Sequence, residues 1–187
     1  MSENKKHSLT HWLGVLGFVT LFALVLSLGR SMTAQSARSA GPSADKHFVA
    51  NAAAGGLAEV KFGKLAQEKG ADPAVRAFGR RMADDHTKAG ERLKEVARSL
   101  NITLRSELNS ADQAQYDELS KLSGPEFDHA YMQMMVKDHE KDVAEFEQEA
   151  TSGKNPAIKN FALQTLPTLE DHLREARDVA ANRKASL

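Results

Sequence analysis

Three Asp-His pairs place their histidines on the apolar faces of predicted helices, where imidazole side chains are candidate metal ligands. The pairs end in His86 (MADDH), His139 (MVKDH) and His172 (TLEDH), and each lies on a different helix. A fourth helix carries Glu59 on its apolar face. Imidazole and carboxylate groups bind transition metals, whereas a buried polar group without a partner loses its solvation. The four residues therefore predict either a ligand site or a buried polar network.

The first interpretation is a single transition-metal ion bound by all four side chains, Glu59, His86, His139 and His172. Counted from the hairpin turns, the four residues lie near the middle of their helices, so they can share one layer. Three imidazoles and a carboxylate suit zinc, copper, manganese or iron. The imidazoles would be oriented by neighbouring aspartates, Asp85, Asp138 or Asp171.

The second interpretation is a buried network without a ligand, in which each histidine bonds to a carboxylate or to Tyr131 and fixes the helix register. The chain would then be a structural or protein-interaction module of the cell envelope, with a partner at its charged faces or short crossover helix. Ferritin-type iron sites place Glu three residues before His on two helices. Ala83 and Leu169 occupy those positions, so ferroxidase chemistry is not expected.

Helix-start signals divide the chain after residue 44. Asp72-Pro73, Asn155-Pro156 and Ser123-Gly-Pro125 each place a capping side chain before a first-turn proline, and Ser110 opens a capping-box pattern. The predicted helices cover residues 45–69, 73–100, 111–122, 125–150 and 156–182. Two tight hairpins with a long middle connection indicate an all-α, ferritin-like four-helix bundle. Its crossover between the second and third long helices contains the short helix.

The two halves of this domain also resemble each other. Asp72-Pro-Ala-Val-Arg-Ala-Phe78 and Asn155-Pro-Ala-Ile-Lys-Asn-Phe161 open the second and fourth long helices with matched character. Both helices later carry an acid-Asp-His step. This repetition is what a bundle with an internal pseudo-twofold axis would show.

An uncharged apolar run over residues 12–29 precedes the domain. It lies at the lower length limit for spanning a bilayer, and Lys5 and Lys6 before it predict that everything from Arg30 onward is exported. We predict a signal-anchor or transmembrane segment over 1–30, a flexible linker over 31–43 and the helical domain over 44–187. The domain would be anchored to the inner membrane on its periplasmic side, or secreted to the periplasm if the segment is cleaved.

Composition excludes several function classes. The formal net charge is zero, but residues 1–40 contain four Lys/Arg and one Asp/Glu, so the remainder is mildly acidic and a poor nucleic-acid binder. The chain has no cysteine and therefore no disulfides or catalytic thiol. It also lacks a Gly-x-Ser-x-Gly motif and a phosphate-binding loop, so hydrolase and kinase activities have no support.

Four ordered blocks resemble a known family: GLAEVKFGKLA, VRAFGRRMADDHTKA, FDHAYMQMMVKDHEKDVAEFEQEA and IKNFALQTLPTLEDHLREA. The chain is similar over about Phe48 to Ala176 to the exported bacterial domain-of-unknown-function family numbered four-one-four-two, whose members are often labelled outer-membrane proteins. The resemblance implies a ferritin-like helical bundle behind a signal or anchor segment. The family pattern includes Glu59, His86, His139 and His172, but it implies no established activity or cofactor.

Overall fold

The structure is a computed structural model that describes residues 42–184, and within that range the chain is all-α, as the sequence predicts. Beyond the helices, these residues form one isolated bridge, between Gly70 and Gly124. The helices are α1 (Pro42–Lys69), α2 (Pro73–Ser99), α3 (Ser110–Lys121), α4 (Gly124–Ser152) and α5 (Pro156–Lys184).

The predicted membrane segment, residues 1–30, and most of the predicted linker lie outside the described residues. Helix α1 begins at Pro42, so its first turn starts inside the span predicted as linker, residues 31–43. Between residues 42 and 184, no helix is both long enough and apolar enough to cross a membrane.

The helix starts follow the predicted capping signals with two differences. The Asp72 carboxylate accepts from the backbone N–H of Ala74, and the Asn155 side chain accepts from the first turn of α5. Ser123 precedes α4 without a side-chain capping bond. The predicted cap at Ser110 is wrong by one residue, because Asn109 has the extended backbone of a cap and accepts from two N–H groups of α3.

Each long helix packs mainly against two other long helices. Helices α1 and α2 pack as one hairpin and α4 and α5 as the other, while α2 contacts α5 and α1 contacts α4. The first hairpin depends on glycine where its helices cross: a Cβ at Gly63 would lie 2.5 Å from the carbonyl oxygen of Gly79. Helix α3 lies against α1 and α4. The four long helices therefore surround a common interior.

The interior contains two apolar clusters. One includes Phe62, Phe78 and Tyr131, and the other includes Leu93 and Phe146. Along α2, α4 and α5, the first cluster lies on one side of the histidine and the second cluster on the other. The histidines thus form a polar layer between two apolar ones.

Each hairpin turn is held by an aspartate from the other hairpin. Asp128 of α4 is fully buried and accepts from the backbone N–H groups of Ala71 (3.0 Å) and Asp72 (2.9 Å) in the α1–α2 turn. Asp45 of α1 accepts from Lys154 (3.2 Å) and Asn155 (2.6 Å) in the α4–α5 turn. Both aspartates are the fourth residue of a Pro-x-x-Asp sequence, Pro42–Asp45 and Pro125–Asp128. This reciprocal arrangement extends the internal repetition of the sequence to the tertiary structure.

Replacing Asp128 by Ala should lower the free energy of unfolding by about 1–3 kcal/mol, because two backbone N–H groups of the α1–α2 turn lose a fully buried, charged acceptor. Urea-induced unfolding followed by circular dichroism measures the change. Asp84→Ala is the matched control, since Asp84 is exposed on α2. A loss no larger than that of the control would show that the contact contributes little to stability.

Candidate metal centre

The three histidines predicted to face the core meet at its centre. His139 and His172 are fully buried and His86 is 7% exposed. The ring centroids of the three pairs lie 5.3–5.7 Å apart. One ring nitrogen from each histidine can be chosen so that all three lie within 4.8 Å of one another. Three separate helices, α2, α4 and α5, therefore bring imidazole nitrogens close to one another.

His139 presents a free nitrogen because its own helix occupies the other one. Its Nδ1 lies 3.0 Å from the carbonyl oxygen of Met135, one turn earlier on α4. A carbonyl only accepts, so Nδ1 carries the hydrogen and donates it. The lone pair then resides on Nε2, which is buried without a hydrogen-bond partner.

His172 is oriented by a carboxylate from another helix. Its Nε2 lies 3.1 Å from Oδ2 of Asp85 on α2. Burial acts to raise the pKa of Asp85, but the hydrogen bond and charge of His172, together with Lys88, outweigh it and lower that pKa. The ionised carboxylate accepts the Nε2 hydrogen, and the lone pair of His172 resides on Nδ1, which has no partner.

His86 lies beside Glu59 of α1. Oε2 of Glu59 is 3.1 Å from Nδ1 of His86, and Oε1 is 3.5 Å from Nδ1 of His139. These contacts are close, but their geometry is not that of hydrogen bonds, so both carboxyl oxygens are buried without a hydrogen-bond partner. Nε2 of His86 is also buried without one. Glu59 thus faces the Nδ1 atoms, on the side of each ring away from the unpartnered Nε2.

Burial holds this centre in its uncharged form. It is the main cause of the lowered pKa of His86, His139 and His172, and the pKa of His139 falls to about 4. The neighbouring imidazoles lower the pKa of His86 and His139 further. Burial, with repulsion from Asp142 and Asp138, raises the pKa of Glu59 well above its usual value.

Three neutral imidazoles, each with an unpartnered ring nitrogen, and one carboxyl group can bind a cation. Zinc–imidazole bonds measure about 2.0–2.1 Å, so nitrogens in a tetrahedral site lie roughly 3.4 Å apart. Nitrogens within 4.8 Å of one another can reach that spacing by small side-chain movements. The donor set and its geometry therefore fit one transition-metal ion.

Two of the orienting groups considered from the sequence do not contact the centre. Asp171 pairs with Arg174 and lies 4.0 Å from Arg81, and Asp138 makes no ion pair with a histidine among the described residues. The Tyr131 hydroxyl has no hydrogen-bond partner, so it does not serve a histidine. Asp85 is the aspartate that orients an imidazole, and it reaches His172 across the helix interface rather than the histidine next to it in sequence.

A cavity of about 620 Å³ adjoins the centre, and no sequence pattern predicted it. Glu59 and His86 contribute to its wall, and the α2–α3 connection contributes Ile102 and Leu104. It exists because several positions on the predicted core stripes, such as Ala52 and Gly55, have side chains too small to fill the space between the helices.

The sequence profile of the family described as "Domain of unknown function (DUF4142)" matches residues 30–179, which include all five helices except the last residues of α5. The chain belongs to the DUF4142 family. All four central side chains fall within the matched part of this family member. Among curated proteins, none matches the chain.

Two solved structures share the fold of this DUF4142 domain. A DUF305 fragment from Deinococcus radiodurans has a TM-score of 0.66 at 14% identity, covering 76% of this chain and 98% of that one. A DUF305 protein from Streptomyces coelicolor has a TM-score of 0.65 at 17% identity, covering 75% and 92%. At these identities the similarity concerns the fold alone.

In chelator-treated protein, acid should destabilise the domain through His139. Its pKa of about 4 lies below that of an unfolded histidine, about 6.5, so the unfolded chain binds the proton first. The stability that neutral His139 provides above about pH 6.5 is lost as the pH falls to about 4. The stability difference between wild type and His139→Leu should therefore fall by ~3 kcal/mol from pH 7 to pH 4, measured by urea unfolding. A difference that does not vary with pH would contradict this.

Proposed function

We propose that the domain binds one divalent transition-metal ion through Nε2 of His86, Nε2 of His139 and Nδ1 of His172. The observations that carry the proposal are the approach of one ring nitrogen from each of three buried histidines to within 4.8 Å of one another, and the lack of a hydrogen-bond partner for Nε2 of His86, Nε2 of His139 and Nδ1 of His172. Each such atom costs about 1–3 kcal/mol when left unpaired, and a metal ion would satisfy all three at once.

The groups around the ligands support this assignment. His139 and His172 already donate their other ring N–H to a carbonyl and a carboxylate. Such partners fix the tautomer and ring orientation of metal-binding histidines. Glu59 was assigned to the ligand set from the sequence, but its position beside Nδ1 of His86 favours an orienting role. Its carboxylate would also offset part of the metal charge.

Three imidazoles leave one position of a tetrahedral ion open, and zinc or copper suits this donor set. When bound, such an ion supplies a Lewis-acidic position for an exogenous ligand. The chain contributes the orientation of the imidazoles and a surrounding interior that is mainly apolar. The function best supported is therefore a metal-binding module, and a metal-dependent activity of this centre would use that open position.

The full chain should bind about one equivalent of zinc or cobalt, and His139→Leu should reduce the affinity at least tenfold because it removes one of three ligands. Calorimetry with zinc gives affinity and stoichiometry, and the visible absorption of bound cobalt reports tetrahedral coordination. Circular dichroism establishes that the variant keeps its helices.

His129→Leu is the matched control, because His129 is exposed on the same helix. It should bind metal like the wild type. Binding of less than a tenth of an equivalent by the wild type, tested with zinc, copper, manganese and iron, would contradict the proposal. The central groups would then form a buried network, and the alternative of a structural or interaction module of the cell envelope would remain.

For the architecture, we propose a ferritin-like four-helix bundle, with α1, α2, α4 and α5 as its long helices and α3 in the crossover. The order of helix contacts and the two reciprocal aspartate contacts support it. We also propose that the domain is exported, with residues 12–29 as a membrane anchor or a cleaved signal. The uncharged run and the lysines before it support export, and the Streptomyces coelicolor neighbour is named as a secreted protein.

A fusion of alkaline phosphatase to the carboxyl end should be active in bacterial cells, because that enzyme folds only after export. Deleting residues 12–29 should abolish the activity while the fusion protein still accumulates. Activity that persists after the deletion would show that another segment directs export or that the domain is not exported by this route.

A further inference from the structure

We propose that the cavity beside the histidine centre binds an apolar organic cation, a molecule with an ammonium group on an apolar body. Its volume of about 620 Å³ lies within the range of small-molecule sites, roughly 300–1,000 Å³. The proposal concerns a ligand distinct from the metal ion, and it can be tested with or without metal in the protein.

The wall of the cavity is mainly apolar. Leu93, Phe146, Phe161 and Leu169 are buried side chains of the second apolar cluster, and each also faces the cavity. Phe146 and Phe161 lie with their ring centroids 5.9 Å apart. Apolar surface of this kind binds the body of an organic ligand, and the aromatic faces attract a cation.

Three acidic side chains line the inner wall of the cavity, beside His86 and Thr165. Glu59 is 97% buried, since its exposed fraction is 3%, and neither of its carboxyl oxygens has a hydrogen-bond partner. Asp142 and Glu145 of α4 line the same cavity and are only partly exposed. The basic residues that line it are all exposed: Lys94, Arg98 and Arg105. The carboxyl oxygens of Glu59, Asp142 and Glu145 can accept hydrogen bonds from an ammonium group inside the cavity, whereas a carboxylate meets opposite charge only at the exposed basic residues.

A metal ion in the neighbouring centre does not remove this complementarity. Glu59 would offset part of the metal charge, while Asp142 and Glu145 contact none of the three histidines by an ion pair. Neither carboxylate is therefore held by the histidine centre, and Glu145 pairs instead with Lys141 at 3.5 Å. In the metal-free protein, all three carboxyl groups face the cavity.

Three water-soluble probes with one shared body separate charge from apolar binding: 4-phenylbutylamine, 4-phenylbutanol and 4-phenylbutyrate. Calorimetry on the full chain in detergent should give the amine at least a tenfold lower Kd than the alcohol, and the carboxylate the highest Kd. Asp142→Asn should weaken the amine about tenfold and leave the alcohol unchanged. Asp178→Asn is the matched control, because Asp178 is exposed on α5 and does not line the cavity.

A larger side chain in the cavity tests whether the amine probe binds there. A Cβ at Gly90 has no neighbouring atom within 4 Å, so Gly90→Leu can project into the cavity, and it should abolish binding of the amine. Ala144→Leu adds an apolar side chain to an exposed position on α4 outside the cavity and should bind like wild type. Circular dichroism shows that each variant keeps its helices, so loss of binding is not loss of fold.

Three results would overturn the proposal. An alcohol or carboxylate that binds as well as the amine would show that the acidic wall does not select a cation. Amine binding that survives Gly90→Leu would place the probe elsewhere, including in the detergent. No binding of any probe to the full chain would show that the cavity takes no such ligand. None of these results bears on whether zinc binds to the histidines.

Discussion

Three imidazole nitrogens buried without partners are the constraint on which the rest of this structure depends. They lie in a polar layer between two apolar clusters and have almost no exposed surface. Leaving these three nitrogens unpaired costs several kcal/mol of folding free energy in total, unless a ligand binds them. Hydrogen bonds to the opposite ring nitrogens of His139 and His172 do not relieve this cost, because they direct the unpaired atoms inward.

The surrounding fold keeps the helices in the register that this layer requires. Asp45 and Asp128 join each hairpin to the turn of the other one, near the ends of the helices. The centre lies between these contacts, so sliding of one hairpin along the other would break the contacts and separate the histidines. Each half of the chain contributes one of these aspartates and one of these turns, and this explains why the two halves of the sequence resemble each other at helix starts. The halves match at the centre where α2 and α5 both carry an acid-Asp-His step, and they differ where α1 carries Glu59 and α4 carries His139.

Sequence periodicity predicted the helices to within a few residues and brought Glu59, His86, His139 and His172 to one layer. These predictions succeed because a helix fixes which residues share a face and how far apart they lie along the axis. The partner of each side chain depends instead on how helices are rotated against each other. For this reason the sequence did not predict that Asp85 bonds to His172 or that Glu59 lies beside Nδ1 of His86. The cavity was also not predictable, since small residues such as Gly55 indicate close helix packing as readily as open space.

The most direct test of a three-histidine metal centre is X-ray absorption spectroscopy of the zinc-loaded full chain. The account predicts a first shell of nitrogen and oxygen atoms at about 2.0–2.1 Å, with the outer-shell scattering of three imidazole rings per zinc ion. His139→Leu should reduce that imidazole count to two. A first shell of oxygen atoms without imidazole scattering would contradict the account, because the ion would then be bound at surface carboxylates.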